Sequence, residues 1–227
     1  MMMAMLRVLR RQLMREWLVY VRQLRMVVNA CLFFLMVMVF FPLTLPASTD
    51  LLRLMLPGLV WIAVLLAILL SSERMFSQDH EDGVMEQWLL SGVPMSLFIL
   101  AKICIQWVIT IVPLLLLCPF LAFLFELTGY ETCVLMFSLF CGTPAILCLS
   151  ALAAILGTGL KQQGMLMALI LLPLTIPIMI FGSAAVTAAM QGMPSIGYFA
   201  ILLALSLVTL CFLPFAIAGV ARISFVS

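Results

Sequence analysis

Six apolar stretches, each about as long as a bilayer is thick, leave this chain little choice of fold. They run over Val27–Leu45, Leu54–Ser71, Leu97–Phe125, Cys133–Thr158, Met165–Val186 and Tyr198–Ala221. A helix needs about 20 apolar residues to cross the hydrocarbon. With no water there, each backbone N–H must be satisfied within its own segment, which reads every stretch as an α-helix. Charged residues make up 9% of the chain, against about a quarter in a soluble domain. The fold class is therefore an all-α membrane protein, with six transmembrane helices within residues 27–227. The third and fourth stretches exceed the minimum, which predicts tilt, a kink or a short extra segment. Pro113, Pro119, Pro144, Pro173 and Pro177 lie inside stretches. Each removes a backbone donor and bends its helix unless neighbours compensate. Pro144, Pro173 and Pro177, in the fourth and fifth stretches, are candidate gating kinks.

Residues 1–26 precede the first stretch. Leu6, Leu9, Leu13, Trp17, Tyr20 and Leu24 recur at spacings of three and four, while Arg7, Arg11, Arg15, Arg22 and Arg25 fall on another face. This pattern predicts a basic amphipathic helix in the headgroup layer. Basic residues also set the orientation. With the N-terminus in the cytoplasm, ten of the eleven Lys and Arg residues lie inside and only Arg53 lies outside. Six crossings then return the C-terminus to the cytoplasm. Lys102, about one turn into the third stretch, is expected to snorkel to the inner surface.

The longest polar interruption, residues 72–96, joins the second and third stretches on the cytoplasmic side. It contains Glu73, Asp79, Glu81, Asp82 and Glu86, five of the nine carboxylates, together with Arg74 and the only histidine, His80. An acidic segment is not drawn to the negative inner leaflet. Its second half reads as a short helix starting at Asp82-Gly83 and stopping at Ser91-Gly92-Val93-Pro94, with Met85, Trp88 and Leu89 on one face. An acidic side beside a Met-Trp-Leu side reads either as an ordinary solvated loop or as a docking site for a protein, and the Trp88-Leu89-Leu90 run favours docking over full solvation. The expected contacts are Glu73, Arg74, Asp79, Asp82 and Glu86 by charge, and Met85, Trp88 and Leu89 by apolar packing.

Several chemistries are excluded. Gly157-Thr158-Gly159-Leu160-Lys161 lacks the spacing of a phosphate-cradling P-loop. No H-E-x-x-H or G-x-S-x-G occurs, and one histidine cannot build a metal cluster. The seven cysteines form no C-x-x-C, so they read as small apolar groups. No stretch carries an ionisable residue at its centre, so an ion-coupled carrier lacks a proton relay. The chain has no catalytic residue, no metal site and no nucleic-acid footprint. What remains is a helical bundle driven from outside, or a membrane scaffold.

Glu73-Arg74, Asp79, Gly83, Glu86, Leu89-Leu90, Pro94 and Lys102 resemble the corresponding linker of six-span ABC-2 type permeases. Phe41-Pro42-Leu43, Leu56-Pro57-Gly58-Leu59-Val60-Trp61, Cys141-Gly142-Thr143-Pro144 and Leu171-Leu172-Pro173-Leu174-Thr175-Ile176-Pro177 narrow the resemblance to the heme exporter B family. That family supplies the permease subunit of bacterial system I cytochrome c maturation. The resemblance covers almost the whole chain. It implies an inner-membrane permease with the linker as coupling helix, and a separate ATPase subunit, heme exporter protein A, that binds and hydrolyses ATP. Heme exporter proteins C and D and a periplasmic heme chaperone are further implied partners, with heme as the transported ligand and no cofactor bound by this chain. Because such ATPases act in pairs, two copies of this chain are expected.

On this reading, closure of the ATPase pair pushes the linker, tilts the second and third spans, and rearranges the proline-bearing fourth and fifth. The stroke moves heme or releases the loaded chaperone. Two other functions fit the same residues: an ABC-2 permease for another lipid, glycan or drug, and a non-transporting assembly scaffold. All require an inward-facing linker. A lone thiol introduced as Glu81→Cys, in a chain cleared of its own cysteines, is expected to resist a membrane-impermeant reagent in intact spheroplasts and to react after lysis. Labelling before lysis overturns the orientation.

Overall fold

The computed structural model describes residues 2–22, 24–44, 49–73, 75–90, 92–158 and 163–226. Nine helices and no strand occur among the described residues. They are α1 Met2–Arg22, α2 Leu24–Thr44, α3 Thr49–Ser72, α4 Ser77–Glu81, α5 Val84–Leu90, α6 Met95–Leu124, α7 Gly129–Gly157, α8 Gln163–Met190 and α9 Ile196–Val226. Six of them, α2, α3 and α6 to α9, are long and apolar enough to cross a membrane. They coincide with the six apolar stretches but reach further at several ends. Hydropathy marks the part that crosses hydrocarbon, whereas capping decides where a helix stops. Thus α7 begins at Gly129 because Thr128 and Glu131 form a reciprocal capping box. At the end of α8, Gly192 takes a left-handed φ of 70° that closes the last turn. With about 1.5 Å of rise per residue, the 30 residues of α6 span about 45 Å, well beyond a hydrocarbon core of about 30 Å. The excess length foreseen for the third and fourth stretches is carried by long single helices.

The bundle is built around α7, which packs against α3, α6, α8 and α9. Within its membrane window 72% is buried, against 22% for α2, α8 and α9, and this places α7 at the centre. Its sequence suits that position. Gly142, Ala145, Ala151, Ala153 and Ala154 are small enough to let neighbours approach. Its buried hydroxyls bond back within the helix: Ser138 donates to the Leu135 carbonyl at 2.8 Å, Thr143 to Leu139 at 2.6 Å and Ser150 to Ile146 at 2.8 Å.

Prolines sit inside the spanning helices without ending them, at Pro113 and Pro119 of α6, Pro144 of α7, Pro173 and Pro177 of α8, and also Pro42, Pro57 and Pro214. Side chains supply hydrogen bonds nearby, as such helices require. Thr175 of α8 donates to the Leu171 and Leu172 carbonyls. One turn ahead of Pro144, the Cys141 carbonyl accepts from Ser206 of α9. Trp107 of α6 donates to Thr143 at 3.0 Å, next to the same proline.

Trp61 of α3 fills the middle and is fully buried. It lies in a slot made by two glycines on different helices. A methyl at Gly182 would stand 2.1 Å from the indole ring, and one at Gly142 would stand 2.6 Å away. The indole N–H meets no acceptor among the described residues, so shape holds this ring rather than a polar partner. Gly182→Ala is expected to destabilise the solubilised protein by about 1–3 kcal/mol through overpacking. That loss exceeds the gain of about 1 kcal/mol that alanine brings to a helix interior. Adding Trp61→Leu is expected to restore part of the loss in a thermal unfolding series.

Candidate functional site

The linker expected to hold one short helix holds two. After α3 ends at Ser72, the Met75 N–H bonds the Ser72 carbonyl at 3.0 Å and α4 follows. Gly83, with φ 65°, turns the chain in a left-handed step between α4 and α5 that other residues adopt only with strain. Pro94 then stands at the N-cap of α6.

Both short helices rest on a charged hub at one end of the bundle. Its centre is Lys102 of α6, which is 5% exposed. The Lys102 ammonium donates to Asp79 of α4 in the closest contact of the hub, and to Glu16 of α1 at 3.4 Å. Arg15 of α1 pairs with Asp79 at 3.6 Å and with Glu16 at 3.7 Å. Gln12 donates to Glu16 at 2.6 Å. Two cations therefore face two anions, as buried charges require. Aromatic faces complete the enclosure. Lys102 lies 5.8 Å from the Phe76 ring and 5.9 Å from Trp88, and Arg15 lies 5.9 Å from Trp88. Trp88 itself stacks on Phe98 of α6, with centroids 5.1 Å apart and planes within 5°.

A second layer sits one turn further along α6. Gln106, 1% exposed, accepts from the Tyr20 hydroxyl at 2.6 Å and donates to the Ser71 carbonyl and the Ser72 hydroxyl, each at 3.0 Å. One amide thus ties α1, α3 and α6 together. Burial, helped by Glu16 and Asp79, raises the Tyr20 phenol well above its ordinary value of 10.0. On the far side of the linker, Gln163 of α8 accepts from Ser77 at 2.9 Å and donates to the Glu73 carbonyl at 2.8 Å. The linker is thus gripped by α1 and α6 on one flank and by α8 on the other.

This geometry redistributes the residues expected to dock a partner. Met85 and Trp88 are 0% and 5% exposed, so these two side chains of α5 pack within the chain. Asp79 is likewise turned inward, into the hub. Glu73, Glu81, Asp82 and Gln87 are exposed. Arg74 lies outside the described residues, as do the side chains of Glu86 and Leu89, whose backbones belong to α5. Lys102 is buried rather than snorkelling, because Asp79 and Glu16 meet it inside. Gln12 and Glu16 face the bundle, while Trp17, grouped with the apolar face, points outward. Glu16, Arg15, Tyr20 and Gln106 were not singled out from the sequence for this site. The available signals were a lone acid in a basic helix and a glutamine inside a span. At the opposite end of the bundle, Arg53 donates to both carboxylate oxygens of Glu131, at 2.8 and 2.9 Å.

Comparison with known proteins decides what kind of bundle carries this hub. The family described as CcmB protein matches residues 3–224. The chain belongs to the CcmB protein family. Heme exporter protein B of Pseudomonas aeruginosa is 44% identical over 196 residues, covering 86% of this chain and 88% of that protein. Heme exporter protein B of Haemophilus influenzae is 39% identical over 210 residues, covering 92% and 95%. The Escherichia coli K12 protein of the same name is 39% identical over 198 residues, covering 87% and 90%. In this CcmB-family chain the hub joins the N-terminal helix, the linker and the third span into one body. Lys102→Met leaves two buried acids facing one remaining cation. It is expected to destabilise the linker end by about 3–5 kcal/mol, as breaking a buried pair does. Limited proteolysis should then cut between α3 and α6 faster than in the wild type. Adding Glu16→Gln and Asp79→Asn, which remove the stranded charges, is expected to slow cleavage again.

Proposed function

We propose that this CcmB-family chain is the permease subunit of a heme export system serving c-type cytochrome assembly, multi-pass in the bacterial inner membrane. The observation that carries the reading is the family match across nearly the whole chain. The hub adds how force would enter. A separate ATPase subunit grips the linker on its outward side, at Glu73, Glu81, Asp82 and Gln87. The buried Met85, Trp88 and Asp79 act behind that surface, passing the push to Lys102 and so to α6. In this reading the chain itself binds no ATP and catalyses nothing. Both termini and the linker lie in the cytoplasm, while heme exporter proteins C and D and a periplasmic heme chaperone complete the assembly. Bend points at Pro144, Pro173 and Pro177 let α7 and α8 answer the stroke. An ATPase pair needs two gripping sites. This chain supplies one, and the mass of the solubilised complex tells whether a second copy or another membrane subunit supplies the other.

The filled centre around Trp61 favours a second form of the same reading, in which the stroke releases the heme-loaded chaperone rather than passing heme through this chain. Reconstituted vesicles separate the two by whether heme crosses with ATP. A strain lacking the chain is expected to lose its c-type cytochromes and to regain them when the chain is returned. Unchanged cytochromes in the deletion reject the reading. Reversing charge with Glu81→Lys and Asp82→Lys is expected to strip the ATPase from purified membranes by tenfold or more while the chain stays inserted.

A further inference from the structure

Part of the outward face of α1, at the hub end, is left exposed by the described residues. Its composition changes along its length. Arg10 and Arg11 are exposed in the first half, and Met14, Trp17, Leu18 and Val21 are 65%, 45%, 52% and 41% exposed in the second. The only acid of the helix, Glu16, is 1% exposed and turned inward against Lys102. The outward face therefore carries positive charge with no carboxylate to offset it. Geometry then selects the occupant. α2 starts at Leu24, two residues after α1 ends, and its membrane-crossing window opens at Val27. Such a short connection holds the apolar half of α1 at the rim of the bilayer. Its basic half lies within reach of the headgroups.

We propose that α1 is a lipid-charge sensor. Its arginines bind the phosphodiester headgroups of anionic lipids in the adjoining leaflet, while Met14, Trp17, Leu18 and Val21 enter the acyl boundary. Burying such a face in the interface scales with apolar area plus attraction to anionic lipid. The inner face of the same helix presents Glu16 and Arg15 to Lys102 and Asp79. Seating α1 on an acidic membrane thus holds Glu16 against Lys102 and keeps α4 in register beneath its docking surface. On a neutral membrane α1 is less firmly held, and the linker keeps α6 but loses α1 on that flank. The lipid-binding half of this inference stands apart from the proposed function, whereas the transmission half rests on it.

The test uses the full chain in vesicles of phosphatidylcholine with or without phosphatidylglycerol, either lipid being supplied with brominated acyl chains. The signal of Trp17 is the fluorescence difference between wild type and Trp17→Phe. Brominated phosphatidylglycerol is expected to quench Trp17 more strongly than brominated phosphatidylcholine at equal fraction, with the preference shrinking as salt rises. Arg10→Gln and Arg11→Gln together should lower the relative association constant for the anionic lipid by about fivefold per arginine at low salt. Equal quenching by both lipids, unchanged in the double variant, overturns the proposal. So does loss of the preference on adding inorganic phosphate at constant ionic strength, since the site then takes free phosphate. For the transmission half, the complex with its ATPase is expected to hydrolyse ATP faster as phosphatidylglycerol increases. Glu16→Gln should keep the quenching preference and lose that dependence. If Glu16→Gln keeps both, α1 binds lipid without controlling the linker. If wild-type ATPase fails to assemble while the quenching preference holds, the functional reading fails and the lipid site stands.

Discussion

A single buried ammonium organises one end of this molecule. Lys102 projects from the first turns of a membrane-crossing helix into the protein interior, where it is buried. An unpaired charge there costs several kcal/mol, so the chain must bring carboxylates to it. It brings one from before the first span, Glu16, and one from the linker, Asp79. Segments 86 and 23 residues away in sequence are thereby fastened to α6. Attraction between such groups is strong where the surroundings are apolar. Arg15 prevents the two acids from leaving an excess of negative charge.

The rest of the bundle is fastened differently. In its middle one indole sits in a notch cut by two glycines, with no hydrogen bond at its nitrogen among the described residues, while Ser206 and Trp107 bond α7 from α9 and α6 on either side of Gly142. Its opposite end is held by the fork of Arg53 and Glu131, where the acid also caps α7. Ion pairs at both ends with a closely packed middle suit a body that moves as rigid helices. Side chains in lipid-facing spans gain little from leaving lipid, so close packing of small residues does the work that water expulsion does in soluble proteins.

Under the proposed function, with an external ATPase pushing on the linker, this division has a consequence. Force applied to α4 and α5 enters a unit that already includes α1 and α6, because Trp88, Phe98, Lys102 and Asp79 pack as one piece. The linker is therefore not a flexible tether. Met85 and Trp88 are committed within the chain, whereas Glu73, Glu81 and Asp82 are exposed; under the proposed function, an ATPase that grips these acids would present complementary positive charge.

The six crossings, their rough limits and the family were legible in the sequence, because hydropathy and a few proline-bearing runs are local properties of consecutive residues. The linker was also legible as a distinct acidic segment with one apolar helical face. Which way that face turned was not. Periodicity shows that Met85 and Trp88 lie on the same side of a helix, but the direction of that side depends on Phe98 and Lys102, which belong to another element. Glu16 looked incidental in an arginine-rich helix, and Gln106 looked like a lone polar residue in an apolar run. Their roles depend on partners about 86 and 35 positions away. Local order along a chain dictates helices and their oily faces, whereas the pairing of buried charges is decided only when distant segments meet, since the energy resides in the pair and neither residue holds it alone.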